Sequence, residues 1–220
     1  MGPWPHFAFR GANRLAERVS WEDIGVKTKE GETCFLDRIN QLANGRFNYR
    51  LPSDSEWEFM ARGGQKGKNA ATGEMSEFRY AGSNLLNEVG WSDIQKLTMP
   101  VGLKMPNTLV SFFFFYMWQR PSDMRRADEG LYDLCGNVEE FCADEWDGDF
   151  DAFPDGIDLN GKPFKESKQK AITPVLRGGR WDRNEMATVQ YRSMGIKLMQ
   201  YGSPKNPDRH QFTGFRLARY

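Results

Sequence analysis

The sequence predicts an α+β domain with little regular secondary structure, and three observations carry that prediction. The 220-residue chain contains 22 glycines and 11 prolines, a content that favours turns and irregular connections over long helices. Helix-start signals at Ser20–Asp23 and Ser53–Glu56 are each followed within a few residues by glycine. Apolar segments are short and are interrupted by polar residues, which is typical of short strands and loops. These patterns predict short helices among many short strands joined by long loops.

Three short helices are predicted from capping signals and apolar spacing. Ser20–Asp23 has an N-cap serine and an acid three residues later, which predicts a helix start. Phe35, Ile39 and Leu42 fall at i, i+4 and i+7, which predicts a helix over 33–43 that ends at Asn44–Gly45. The capping box Ser53–Glu56 predicts a helix over 54–62, ended by a pair of glycines.

Length and charge limit the classes of protein to which the chain can belong. A chain of 220 residues supports one core, so a single domain over 1–220 is expected. The 30 basic and 30 acidic residues cancel, and this balance predicts no nucleic-acid partner. Met1–Pro5 lacks the features of a secretory signal. The apolar run Val110–Trp118 is too short for a membrane span.

The run Val110–Trp118 has two interpretations. A short run of consecutive apolar residues predicts a buried strand, or an inserted segment packed on the body. If it were exposed, the aromatic stretch Phe112–Trp118 would mark a site of self-association.

Cysteine and histidine are scarce. The three cysteines are Cys34, Cys135 and Cys142, an odd number that predicts buried thiols, although a Cys135–Cys142 bridge remains open. The two histidines, His6 and His210, lie far apart in the sequence. No histidine-based metal cluster is therefore expected.

Four segments together resemble the formylglycine-generating enzyme (sulfatase-modifying factor) family. They are Tyr49–Gly64 (YRLPSDSEWEFMARGG), Pro100–Gly102 with Pro106–Asn107, Gly130–Phe141 (GLYDLCGNVEEF), and Leu176–Gly179 (LRGG) with Gly214–Ala218 (GFRLA). The resemblance implies the C-type-lectin-like fold of that family, with short helices and twisted antiparallel sheets. It also identifies 108–129 as an insertion.

The resemblance argues against the family's oxidase chemistry in this chain. The generating enzymes carry two cysteines in the final segment that bind copper, a metal that selects soft thiolate ligands. No cysteine lies between Gly179 and Gly214, and Arg183 and Thr188 are the residues nearest the expected positions. We therefore expect neither copper nor enzymatic activity. The alternative is an oxidase of this type, active or degenerate, acting on protein cysteine.

The chain also resembles a non-catalytic branch of this family, the variable proteins of diversity-generating retroelements. The segments Arg177–Gly179 and Gly214–Ala218 match the framework that encloses their variable region. The resemblance implies a variable-type region over 176–219 that binds an unknown protein or cell-surface ligand. A retroelement variable protein is expected at the cell surface or on a virion. If the chain is not such a protein, it is expected in the cytoplasm.

The candidate ligand-binding residues combine aromatic and arginine anchors with adaptable polar and methionine neighbours. They are Arg180, Trp181, Asp182, Arg183, Asn184, Gln190, Met194, Ile196, Lys197, Met199, Gln200, Tyr201, Arg209, His210, Gln211 and Phe212. Four of them have another interpretation. Trp181 follows the framework and also suits a core position, and Met194 and Met199 suit core and surface equally. His210 also suits an ordinary surface histidine.

The family also binds calcium, and this chain retains part of the motif. The resemblance implies a first site made of the Asp133 and Glu140 side chains and the Gly136 and Val138 carbonyls. Calcium takes several oxygen ligands in flexible geometry. A second, looser match involves Asn84, Leu85 and Asp93. Alternatively, Asp133 and Glu140 cap turns and accept hydrogen bonds from backbone amides.

Overall fold

A computed structural model of the chain describes residues 13–25, 33–91, 98–107, 115–116, 130–146, 173–194 and 212–219. Its helices are α1 Trp21–Ile24, α2 Phe35–Ala43, α3 Asp54–Ala61 and α4 Leu86–Val89, with single 3-10 turns at Gly64–Gly67 and Asn184–Met186. Its strands are β1 Tyr49–Arg50, β2 Gly90–Trp91, β3 Phe115–Tyr116, β4 Cys135–Gly136, β5 Glu139–Trp146, β6 Thr173–Arg177, β7 Arg192–Met194, β8 Thr213–Gly214 and β9 Leu217–Arg219. The α+β prediction is confirmed.

The helices begin where the sequence places their caps. Ser20 and Ser53 each accept the N3 amide of their helix, and the N3 carboxylate accepts the amide of the cap residue in return. Cys34 caps α2, because its Sγ accepts the Asp37 amide at 3.3 Å. Among the described residues, no helix is long and apolar enough to cross a membrane.

The helix predicted over 33–43 is confirmed as α2, and it lies on the surface. Leu42 is 85% exposed, and no α2 residue is buried. The helix is attached through Asn40, whose side chain accepts the Tyr49 amide at 2.6 Å and donates to the Tyr49 carbonyl at 2.9 Å. Phe35 also meets the Phe215 ring edge-on at 5.3 Å. Leu36 also packs against a core cluster that includes Trp21 and Leu51. Helix α2 is therefore attached to the body although Leu42 is exposed.

The strands form three small sheets that bring distant parts of the chain together. The four-stranded sheet has the order β7-β6-β5-β8, with β6 antiparallel to both neighbours and β8 parallel to β5. The three-stranded sheet has the order β1-β9-β3 and is antiparallel, and β2 pairs with β4 in parallel. The final segment therefore supplies strands to both of the larger sheets.

Strand β3 lies within the predicted insertion 108–129. Its backbone pairs with β9, matching Phe115 to Ala218 and Tyr116 to Leu217. The strand predicted for this apolar run is confirmed at these two positions. The rest of the run, the stretch expected to self-associate included, is outside the described residues, and the burial of its side chains stays a prediction.

Two apolar clusters form the core. The larger gathers side chains around Trp57, including Leu134, Cys142, Val175 and Val189. The smaller contains Val19, Trp21, Ile24, Leu51, Phe141 and Leu176. Strands β5 and β6 contribute side chains to both clusters, because opposite faces of the same strands contact different helices. The four-stranded sheet is thus the element on which the final segment is built.

Candidate ligand-binding surface

A buried arginine ties the start of the final segment to helix α3. Arg177, at the end of β6, is 0% exposed; its guanidinium pairs with Asp54, binds Glu58 Oε2 at 2.8 Å, and donates to the Val189 carbonyl at 3.0 Å. Arg192, on β7, binds the same two carboxylates at 2.8 and 3.1 Å. Burial opposes ionisation of Asp54, but the two guanidinium groups outweigh it and lower its pKa. The network stays charged and fixes β6 and β7 against α3.

A second buried arginine ties the end of the segment to the same body. The Arg216 guanidinium holds both oxygens of Glu140, on β5, with Nη2 lying 2.5 Å from Oε1. The indole Nε1 of Trp57, on α3, donates to Glu140 Oε2 at 2.7 Å. Both ends of the final segment are therefore fixed to the rigid core by charge-assisted hydrogen bonds.

The chain path after β6 requires its two glycines. Gly178 and Gly179 have φ values of +88° and +69°, which L side chains rarely adopt. A Cβ atom at Gly179 would lie 2.4 Å from the Met186 carbonyl oxygen. Directly afterwards, the Trp181 amide donates to the Asn137 carbonyl at 3.1 Å. This geometry fixes the direction in which the following residues leave the body.

The residues after this turn form a strip of exposed side chains, which we call the display strip. Its exposed members are Arg183, Asn184, Glu185, Gln190 and Met194. Met194 is 52% exposed, so the surface alternative holds for it. Arg180, Asp182 and Phe212 are half-buried at its margin. The other predicted ligand-binding residues are outside the described part of the chain: Ile196, Lys197, Met199, Gln200, Tyr201, Arg209, His210 and Gln211.

Trp181 lies beneath this surface, not on it. Its side chain is 9% exposed, and its ring packs against the Phe212 ring with centroids 5.3 Å apart. The Arg180 guanidinium covers Phe212 at 4.4 Å and pairs with Asp182 at 2.8 Å. Trp181 therefore supports the residues around it, because a large aromatic ring directly after a fixed turn finds more contact inside than outside.

Glu139 is a buried carboxylate beneath this surface that the sequence did not indicate. It is 5% exposed, and Ser193 Oγ donates to its Oε1 at 2.6 Å. Burial raises its pKa, although Ser193 and the nearby arginines act in the opposite direction. Burial, and then the charge of Glu139, also raise the pKa of the Tyr191 hydroxyl. Strand alternation would place only one of Glu139 and Glu140 inside, so no pattern in the sequence indicated that both are buried.

The three cysteines are buried free thiols, as predicted. The alternative, a disulfide between Cys135 and Cys142, is not formed. Burial raises the pKa of Cys135 to about 12, and it also raises that of Cys142. A buried thiol with a raised pKa is a poor nucleophile and a poor metal ligand. At the positions nearest the expected oxidase thiols, Arg183 is exposed and Thr188 is half-buried.

The side chains of the first predicted calcium set already have partners within the protein. Asp133 Oδ2 accepts the Gly102 amide at 2.7 Å, and its buried Oδ1 has no hydrogen-bond partner among the described residues. Burial raises the pKa of Asp133 to about 6. Glu140 does not fit a calcium ligand here, because both its oxygens accept from Arg216 and one also accepts from Trp57. As arranged, the set does not fit calcium.

The second calcium set is only partly described. Asn84 Oδ1 accepts the Arg79 amide at 3.0 Å, and Leu85 is 58% exposed. Asp93 is outside the described residues. Within the described ranges, no group of three or more His, Cys, Asp or Glu side chains is placed to hold a metal ion.

The framework geometry and the sequence agree on the family. The profile of the sulfatase-modifying factor enzyme 1-like domain matches residues 2–220. The chain belongs to this family. It is 32% identical over 162 residues to the chaperone protein LppX of Paenibacillus barcinonensis, covering 63% of this chain and 54% of that protein. It is 29% identical over 175 residues to the formylglycine-generating enzyme of Thermomonospora curvata, covering 77% of this chain and 48% of the enzyme. The chain thus spans about half the length of these relatives.

Solved structures confirm the fold. The crystal structure of CarF matches 95% of this chain and 68% of its own length, with a TM-score of 0.58 and 21% identity. The Treponema denticola variable protein 1 matches 77% of this chain and 47% of its own length, with a TM-score of 0.46 and 26% identity. The predicted C-type-lectin-like α+β fold of the formylglycine-generating enzyme subclass is confirmed.

Proposed function

We propose that the chain is a non-catalytic ligand-binding protein whose C-terminal region, residues 180–213, is a diversified recognition surface of the retroelement type. The observation that carries the proposal is the display strip itself. Its exposed side chains follow β6, four of them before β7 and Met194 at the end of β7, and Arg177 and Arg192 fix these two strands to α3. A recognition surface needs adaptable side chains on a body that does not move, because ordering the surface on binding costs affinity.

The composition of the display strip supports protein or cell-surface ligands. Arg183 offers a planar fork of donors, Asn184 and Gln190 offer both donors and acceptors, and Met194 offers an adaptable apolar contact. With Glu185, they supply both charge signs and one apolar group. We place such a protein at the cell surface or on a virion, with no nucleic-acid partner.

The thiols support a non-catalytic role over the alternative oxidase. Copper chemistry of the family type needs thiolates that are accessible and easily deprotonated. Cys135 and Cys142 are buried and have raised pKa values, and Cys34 is buried at the start of α2. None of them lies in the final segment. We expect none of the three to react with an aromatic disulfide reagent in the native protein, and all three to react in denaturant.

Two experiments test the proposal. The first examines the genome for a reverse transcriptase gene and for a near-copy of the DNA that encodes residues 176–218. We expect the near-copy to differ from the coding DNA only at adenines, and its absence removes the retroelement part of the proposal. The second incubates copper-loaded protein with a cysteine-containing peptide and follows the peptide mass. Copper-dependent oxidation of the peptide would restore the oxidase alternative and overturn the binding-only function.

A further inference from the structure

Two carbonyls and one carboxylate of the 132–140 loop accept hydrogen bonds from the same cation, the Arg216 guanidinium. Arg216 Nη2 donates to the carbonyl oxygens of Tyr132 and Asp133 at 3.3 and 3.2 Å, and to Glu140 Oε1 at 2.5 Å. Its Nε donates to Glu140 Oε2. Two main-chain oxygens and one carboxylate therefore accept from a single guanidinium. Glu140 belongs to the predicted calcium set, whereas the Tyr132 and Asp133 carbonyls are loop oxygens outside it.

We propose that the Arg216 guanidinium is the resident cation of the 132–140 loop in this chain, and that the loop is held in place without calcium. Arg216 is 6% exposed. Its Nε and Nη2 donate to these acceptors, and its buried Nη1 has no hydrogen-bond partner among the described residues. Arg216 reaches the loop from the segment before β9, and it therefore joins the loop and the C-terminal segment in one contact. A calcium ion could hold the loop in place, but it would not join the loop to the C-terminal segment.

Glu140 decides between the two cations. The negative charge of Glu140 is already balanced by the guanidinium, from which it accepts two hydrogen bonds. The Trp57 indole also donates to Glu140 Oε2 at 2.7 Å, so fewer oxygen lone pairs are left to bind a metal ion. A divalent ion bound to Glu140 would lie next to the Arg216 charge inside the protein, where like charges repel strongly. If Glu140 bound calcium instead of Arg216, the buried guanidinium would lose its carboxylate partner.

Asp133 is the remaining candidate calcium ligand of the loop, so its substitution tests the proposal. Its buried Oδ1 has no hydrogen-bond partner in the described part of the chain, and a calcium ion would use this atom first. If the proposal is right, Oδ1 holds no metal, and replacing the carboxylate with an amide leaves the response of the protein to calcium unchanged. The amide side chain of the Asp133→Asn variant still carries an oxygen that can accept the Gly102 amide.

The experiment measures thermal unfolding of the purified full chain and of the Asp133→Asn variant, each in EDTA and in millimolar calcium chloride. We expect the two conditions to give the same Tm within about 1 °C for both proteins, because an ion that binds only the native state would raise Tm at saturation. Asp182→Asn is the matched control, since it removes a half-buried carboxylate outside the loop.

The outcomes separate the two cations. A calcium-dependent rise in Tm that Asp133→Asn abolishes and Asp182→Asn keeps would overturn the proposal. A rise that both variants keep comes from another site and leaves the 132–140 loop free of metal, as proposed. If Asp133→Asn does not fold, calcium measured by elemental analysis of the wild-type protein after dialysis decides instead. A calcium content near zero supports the proposal, and so does a stoichiometric content that the second-set variant Asn84→Ala loses. A stoichiometric content that Asn84→Ala keeps overturns it.

Discussion

Arg177 and Arg183 lie close together in the sequence and in opposite environments. Arg177 is fully buried between two carboxylates of α3, whereas Arg183 is exposed on the display strip. The side chains are chemically identical, so only their surroundings assign one to the framework and the other to the surface. The final segment is therefore not uniformly a surface. Buried ion pairs of Arg177 and Arg216 fix its two ends to the core. The exposed residues lie between these fixed ends.

The largest effect is expected from Arg177→Ala. The substitution leaves Asp54 buried without its strongest partner, and breaking a buried pair in this way costs about 3–5 kcal/mol. Urea unfolding measures the loss as a lower midpoint. Arg183→Ala is the matched control and is expected to change stability by less than about 0.5 kcal/mol. Equal losses for the two variants would break the distinction between framework and surface.

The second effect is expected from Gly179→Ala. The new Cβ would lie 2.4 Å from the Met186 carbonyl oxygen, on a residue whose φ is +69°. Strain and overpacking together are expected to cost about 2–4 kcal/mol. Gly45→Ala is the control, because its φ of +75° is similar but no atom lies within 4 Å of the added Cβ. A Gly179 variant no less stable than the Gly45 variant would contradict the close contact with Met186.

The third effect concerns acid. Burial opposes ionisation of Asp54 and Glu58, but the Arg177 guanidinium outweighs burial and lowers both pKa values. A lowered pKa stabilises the fold above the unfolded-state pKa of about 4 and loses this contribution as pH falls through the folded-state value. The stability difference between wild type and Asp54→Asn should therefore be largest near pH 7 and shrink below about pH 4. Urea midpoints across this acid range measure it, and a constant difference would contradict the ionised network.

The smallest effect on stability, and the largest on binding, is expected on the display strip. Alanine at Arg183, Asn184, Gln190 and Met194, introduced singly, should change stability by less than about 0.5 kcal/mol each. Once a ligand has been identified, one or more of these substitutions should weaken binding by roughly tenfold or more, as expected for contact anchors. Titration calorimetry measures the affinity and urea unfolding the stability. A ligand whose affinity is unchanged in all four variants would place the binding surface elsewhere.

Capping signals predicted the helix starts correctly because they depend on neighbouring residues only. Ser20 and Ser53 begin helices as predicted, and α3 ends one residue earlier than the prediction. The spacing of Phe35, Ile39 and Leu42 predicted helix α2 correctly, but it could not show that Leu42 is exposed, because spacing gives a direction on a helix and not what lies in that direction. The same limit applies to Trp181, which adjoins a predicted surface and is nevertheless buried.

The family, the framework motifs and the absence of cysteine from the final segment could all be identified from the order of the residues, since each depends on residue identity alone. The tertiary structure decided which charged residues are partners. Arg177 finds Asp54 and Glu58, Arg216 finds Glu140, and Glu139 is buried beside Ser193, all across long separations in the chain. Such pairings depend on how β5, β6 and α3 pack, and no local pattern encodes that packing. The same packing separates the buried ends of the final segment from the residues it displays.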